Sequence, residues 1–147
     1  QLLGLNYRMN ELQAVLDIEQ LKNLKKFIRK RNQQAKYYIK NLKKYDIQFQ
    51  KIDSKNYSAY HLFVIVLNNF NIKKLNILIK YFLKNNIYVQ KHYIPIYHHP
   101  YYKENFNPKN FPNTENYYNK SISLPLYYDL KRSEQDKVIS IIKYFLK

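Results

Sequence analysis

A chain of 147 residues and 18.1 kDa is one ordinary domain, long enough to bury its own core and short for a complete cofactor enzyme. At 46% apolar and 17% aromatic it is too hydrophobic for a disordered tail, while a mean hydropathy of -0.64 and 24% charged residues argue against an integral membrane protein. One Gly and no Cys leave no Gly-rich phosphate loop, thiolate metal site, cysteine nucleophile or disulfide, and the formal charge of +16 points towards polyanions.

From Asn10 the apolar residues Leu12, Val15, Leu16, Ile18, Leu21, Leu24, Phe27 and Ile28 recur at three- and four-residue steps, continuing through Ala35, Tyr38, Ile39 and Leu42. The pattern predicts one long helix or two in series, entered through an Asn10/Gln13 capping box. After Tyr45 an alternating stretch from Ile47 to Ile52 and the β-branched, aromatic run Tyr60 to Leu67 read as strands. Asn71 is placed to cap a helix carrying Leu75, Leu78, Ile79 and Phe82, with Asn85 and Asn86 stopping it in left-handed geometry. A short strand from Ile87 to Gln90 is expected next.

Residues 92–112 break every period and hold Pro95, Pro100, Pro108 and Pro112, with seven aromatic or His residues from His92 to Tyr102. A long irregular loop inside a small domain usually serves a site, which makes this segment the first functional candidate. A helix from Asn113 to Lys120, a strand from Ser121 to Tyr127 and a helix opened by Ser133 complete the order. Short strands interleaved with helices, without regular β-helix-β units, predict an α+β fold with helices over a small, mainly antiparallel sheet.

The charge has two readings. Only four basic residues are Arg, against 22 Lys, 18 Asn and 17 Tyr, and this joint excess is what an AT-biased coding sequence produces. A polyanion-binding surface is the other reading, although the Lys are spread along the whole chain. With Gln1 first and Met9 the sole Met, a fragment of a longer polypeptide is expected. No membrane span or signal peptide is legible, so the cytoplasm is the expected compartment and no membrane partner is expected.

Three segments carry a resemblance: GLNYRMNELQAV (4–15), VQKHYIPIYHHPYY (89–102) and FPNTENYYNKSISLPLYYDL (111–130). Together they resemble the C-terminal part of the DegT/DnrJ/StrS-type sugar aminotransferases, pyridoxal-phosphate enzymes of fold type I acting on nucleotide-linked keto sugars. Within that family HYIPIYHHPYY and LPLY are most similar to the enzymes that aminate UDP-linked 4-keto-6-deoxy-hexosamines on the way to pseudaminic acid or related bacterial glycans. The resemblance implies an interdomain helical segment over 1–45 and a small domain over 46–147, following a large cofactor domain absent here. That domain would supply the aldimine-forming lysine, since no Lys of this chain sits in a matching motif. The chain alone is therefore expected to be inactive, with no catalytic residue of its own.

By the same resemblance, Asn6 reaches the cofactor phosphate of the partner subunit in a homodimer with shared sites, and Arg8 lies close by. Tyr7, His92, Tyr93 and His98 fall on the substrate side, where rings stack on a base or sugar and phenol or imidazole bonds hydroxyl or diphosphate oxygens. Glutamate is the implied amino donor. From the residues alone, Asn6 caps a turn and Arg8 pairs with a carboxylate such as Glu11. Tyr97 stands where the family usually has His; Tyr101 and Tyr102 are expected to pack the loop against the sheet.

No metal site is expected of His61, His92, His98 and His99, because adjacent His side chains seldom converge on one ion. Nor is a serine hydrolase, since Ser121 and Ser123 lie in an apolar strand with no elbow motif. The rival reading is a free-standing basic module binding single-stranded nucleic acid through Lys and interleaved Tyr, and a third is an inactive fragment.

Overall fold

The computed structural model describes residues 7–147. Asn10 is extended (φ -81°, ψ 166°), and its side-chain oxygen accepts the Gln13 N–H at 2.9 Å while the Gln13 side chain accepts the Asn10 N–H at 3.1 Å. This reciprocal box opens α1 (Glu11–Leu42), a single helix of 32 residues with no Pro or Gly to interrupt it. The second half carries the buried residues Gln34, Ala35, Tyr38 and Leu42, whereas Leu12, Val15, Leu16, Ile18, Leu21 and Leu24 on the first half are exposed.

Three short strands, β1 (Ile47–Phe49), β2 (Phe63–Leu67) and β3 (Ser121–Leu124), form an antiparallel sheet in the order β1-β2-β3. Ile47 pairs with Leu67 and Phe49 with Ile65, while Phe63 pairs with Leu124 and Ile65 with Ile122. Period-two geometry then sends Phe63, Ile65, Leu67, Ile122 and Leu124 to one face, all buried. The second half of α1, α2 (Ile72–Lys84) and α4 (Arg132–Phe145) cover that face with Tyr38, Leu42, Leu75, Leu78, Phe82, Val138 and Ile142. Tyr38 stacks on Phe63 at 5.3 Å between ring centroids. The remaining helix, α3 (Pro112–Lys120), contacts β2.

An α+β architecture is thus observed, with local corrections. The first strand stops at Phe49 and the second starts only at Phe63, because Tyr60 sits at φ 45° and bends the chain ahead of the ladder. The expected strand at 87–90 is a single bridge, Gln90 to Ser123. β3 ends at Leu124, before Pro125, which has no N–H to continue the ladder. α3 begins one residue early, at Pro112, whose fixed φ suits a first helical turn. Ser133 lies inside α4; Lys131 takes the cap position, where the Glu134 carboxylate accepts its N–H at 2.7 Å. Asn71 does cap α2, accepting the Lys74 N–H at 2.9 Å; of the two residues expected in left-handed geometry at its end, Asn86 has φ 58° and Asn85, at φ -96°, does not.

Two buried carboxamides tie the helices together. The Gln34 amide donates to the carbonyls of Tyr127 (2.8 Å) and Leu130 (3.2 Å), and the Gln135 amide donates to the Gln34 carbonyl at 3.1 Å. Leu78 is fully buried and Leu16 is 64% exposed. Leu78→Ala is therefore expected to cost about 2–5 kcal/mol and Leu16→Ala to stay within about 0.5 kcal/mol. Urea unfolding of both variants checks this; equal losses would contradict the exposure of the first half of α1.

Candidate functional site

The irregular segment after Gln90 is fixed at its root. Gln90 and Ser123 exchange backbone hydrogen bonds (Ser123 N–H to Gln90 carbonyl, 2.8 Å; Gln90 N–H to Ser123 carbonyl, 3.5 Å). The Ser123 hydroxyl lies 2.6 Å from Nδ1 of His92. Between them, the Lys91 ammonium sits 3.8 Å from the centroid of the Tyr118 ring, and burial pulls its pKa below the ordinary lysine value. Tyr93 follows, meeting the half-buried His92 ring edge-on at 4.5 Å, with its own ring largely in solvent. His61, Gln90, His92 and Ser123 border a cavity of about 170 Å³.

A second anchor lies six residues on, in the 3-10 turn Ile96–His98. The Tyr97 phenol donates to a Glu115 carboxylate oxygen at 2.8 Å, and His98 Nε2 lies 2.6 Å from the same oxygen. An ionised carboxylate only accepts, so His98 donates from Nε2 and keeps only Nδ1 for anything else. Burial alone would raise the Glu115 pKa, but the hydrogen bonds from Tyr97 and His98 outweigh it and hold the group below its ordinary value. Tyr97 is buried and stacks on Phe111 at 4.8 Å, so its ring is packed against the start of α3. Tyr101 and Tyr102 instead lean on each other at 4.9 Å, with Tyr101 81% and Tyr102 40% exposed.

The remaining candidates lie elsewhere. Asn6 is outside the described residues. Tyr7 and Arg8 are exposed and, with Met9, Gln13, Leu16 and Asp17, border an open cavity of about 530 Å³ at the start of α1. At 1.5 Å per helical residue, Asn10 stands about 36 Å along the axis from Gln34, where α1 enters the core. Arg8 and Glu11 form no ion pair; those among the described residues are Lys22 with Glu19 and His98 with Glu115. A guanidinium just ahead of a helix N-terminus, where backbone N–H groups and the dipole add positive potential, has the chemistry of a phosphate contact. Arg8 thus fits a phosphate-bearing cofactor.

Among the described residues no three His, Asp or Glu side chains gather to hold a metal ion. Two residues escaped the sequence reading. Glu115 is legible only through its contacts, 17 and 18 positions from its partners. Ser123 had a signal: hydroxyls at 121 and 123 recur on one face of an apolar strand, and buried hydroxyls need partners.

Residues 1–143 match the DegT/DnrJ/EryC1/StrS aminotransferase family, and the chain belongs to it. It is 32% identical over 148 residues to the UDP-4-amino-4,6-dideoxy-N-acetyl-beta-L-altrosamine transaminase of Helicobacter pylori, covering 97% of this chain and 39% of that protein. The spore coat polysaccharide biosynthesis protein SpsC of Bacillus subtilis is 31% identical over 157 residues, with 96% of this chain and 38% of that protein covered. Among solved structures, Helicobacter pylori PseC, an aminotransferase involved in pseudoaminic acid biosynthesis, superposes with a TM-score of 0.87 at 26% identity, over 99% of this chain and 40% of that one. The putative sugar aminotransferase Spr1654 of Streptococcus pneumoniae, in its pyridoxal-phosphate form, shares the fold with a TM-score of 0.87 at 22% identity, over 95% of this chain and 37% of that one. The chain therefore spans less than two-fifths of the length of these curated relatives. The family is one of pyridoxal-phosphate-dependent sugar aminotransferases, and the chain is a part of that architecture.

The Glu115 clasp has a pH signature. Its folded pKa lies below the ordinary 4.5, so its stabilising contribution is complete above that value and is lost as pH falls through the lowered one. On acidification the wild-type chain should lose more stability than Glu115→Gln, as read by urea midpoints across the acid range. Parallel curves would show that the clasp contributes nothing.

Proposed function

We propose that this chain is the C-terminal part of a pyridoxal-phosphate-dependent aminotransferase that aminates a nucleotide-linked keto sugar, a UDP-4-keto-6-deoxy-hexosamine, in bacterial surface-glycan biosynthesis. The carrying observation is the family match over 1–143, with His92 and Tyr93 held at the root of the irregular segment. The names of the Helicobacter pylori relatives support the UDP-linked 4-amino sugar and the pseudaminic-acid branch.

When bound, the cofactor serves as the carrier of the amino group between glutamate and the sugar. Asn6 and Arg8 serve the cofactor phosphate of the partner subunit; His92 and Tyr93 hold the nucleotide sugar, the imidazole bonding an oxygen and the phenol ring offering a stacking face. Tyr7 and the free Nδ1 of His98 complete the substrate side. Residues 1–45 act as the interdomain segment and 46–147 as the small domain.

The exposed apolar residues Leu12, Leu16, Leu21 and Leu24 support a homodimer with shared sites, because water-exposed apolar surface on that scale favours burial against another surface. The length of α1 supports it too: the start of the helix stands about 36 Å along the axis from Gln34, where α1 enters the core, so it projects away from that core. A cytoplasmic location agrees with nucleotide-sugar chemistry, and no helix among the described residues is long and apolar enough to cross a membrane.

The test uses the complete polypeptide that carries this chain together with a cofactor domain. It should transfer nitrogen from glutamate to a UDP-4-keto sugar, while the 147-residue chain alone should not. Arg8→Ala, losing a charge-assisted contact of about 1.5–3 kcal/mol, should weaken cofactor retention by roughly 10- to 100-fold. Undiminished retention in that variant would remove Arg8 from the site, and no transfer by the complete polypeptide would overturn the reading. Salt-sensitive binding of single-stranded nucleic acid in place of transfer would favour the basic-module alternative.

A further inference from the structure

The hydroxyl of Ser123 is buried within β3, and among the described residues its hydrogen-bond partner is Nδ1 of His92, 2.6 Å away. Two arrangements satisfy that distance. If Nδ1–H donates to Oγ, the serine proton has no acceptor among the described residues. If Oγ–H donates to Nδ1, the proton is used and only a lone pair is left idle. A buried donor without a partner costs more than an unfilled lone pair on an oxygen that already makes a bond. The second arrangement is therefore favoured, and it has a consequence for the ring: with Nδ1 accepting, the neutral imidazole carries its hydrogen on Nε2.

Backbone geometry reinforces the assignment. Ser123 also binds Gln90 through its N–H at 2.8 Å, so one residue of β3 holds both the main chain two positions before His92 and the His92 ring itself. The Tyr93 ring meets the imidazole edge-on at 83°, which restricts the ring from another side. Nε2 has no hydrogen-bond partner among the described residues, and the ring borders the cavity shared with His61 and Gln90.

We infer that Ser123 is a positioning residue: its buried hydroxyl locks His92 in the Nε2–H form and aims that N–H, as a fixed donor, at an acceptor oxygen of a bound ligand. The ligand class, a nucleotide diphosphate or sugar hydroxyl, rests on the function proposed above; the tautomer and its control by Ser123 do not. The hydroxyl is enclosed in β3 and tied to the imidazole, so the pair works as an anchor and not as a nucleophile with its base.

Nitrogen-15 NMR of the imidazoles in the 147-residue chain, at a mildly alkaline pH, reads the tautomer directly. The wild-type chain should show a protonated Nε2 and a hydrogen-bonded, unprotonated Nδ1 for His92. In Ser123→Ala the Nδ1 signal should shift towards that of a ring without a hydrogen bond and the ring should gain mobility, while Ser123→Thr should keep the wild-type pattern. A protonated Nδ1 in the wild type, or ring signals unchanged in Ser123→Ala, would overturn the inference. Should the Ala variant fail to fold, the wild-type tautomer and the Thr variant still decide. Titration of the complete polypeptide with uridine diphosphate then reads the functional proposal separately: a locked Nε2–H that does not respond to the nucleotide removes the ligand assignment and leaves the role of Ser123 standing.

Discussion

The structure turns on the double burial of β3. Ile122 and Leu124 face the helical core, and Ser121 and Ser123 lie on the opposite side of the same four residues, equally closed to solvent. A strand buried on both sides must satisfy every polar group it carries within the protein. On one edge β2 supplies the ladder; on the other, among the described residues, only Gln90 does, and the hydroxyl of Ser123 pairs with His92 of that same segment. The residues proposed for recognition thus sit on an irregular stretch whose root is tied to β3 by the Gln90–Ser123 bridge and the His92–Ser123 contact. Glu115 repeats the device further along, drawing Tyr97 and His98 onto α3.

A second constraint is the division of α1. Its last turns complete the core through Ala35, Tyr38 and Leu42, and the two glutamine carboxamides lock it against the 127–130 turn and α4. Its first half contributes nothing to that core and exposes a run of aliphatic side chains. Helix propensity and one capping box do not by themselves account for so much exposed apolar surface. The surface makes physical sense as one half of a contact, which agrees with a chain that spans under two-fifths of its relatives' length.

Much of the fold was legible because local rules and tertiary packing agree. Asn10, Asn71 and Asn86 act as the sequence predicts, since capping and left-handed geometry are decided within a few residues. The 3.6-residue period of α1 was read correctly as helix, yet periodicity says nothing about what covers each half. The strand expected at 87–90 failed because pairing depends on a partner, and β3 offers that segment a single bridge. Tyr60 disguised the start of β2, as a β-forming residue held at positive φ contradicts its own propensity. Of the site, the motif residues His92, Tyr93 and Arg8 were visible by type and resemblance. The groups that hold them were not, because Ser123 is 31 residues from His92 and Glu115 is 17 from His98.

The claim that the recognition segment is built into the core can be measured by native-state hydrogen exchange at the Ser123 amide, which donates to the Gln90 carbonyl outside the main ladder. The account predicts protection close to that of the Ile65 and Ile122 amides in the sheet, with exchange only through near-global opening. Exchange as fast as that of the turn amides from Tyr102 to Asn105 would contradict it, and would make the segment bearing His92 and Tyr93 a loose loop instead of an anchored site.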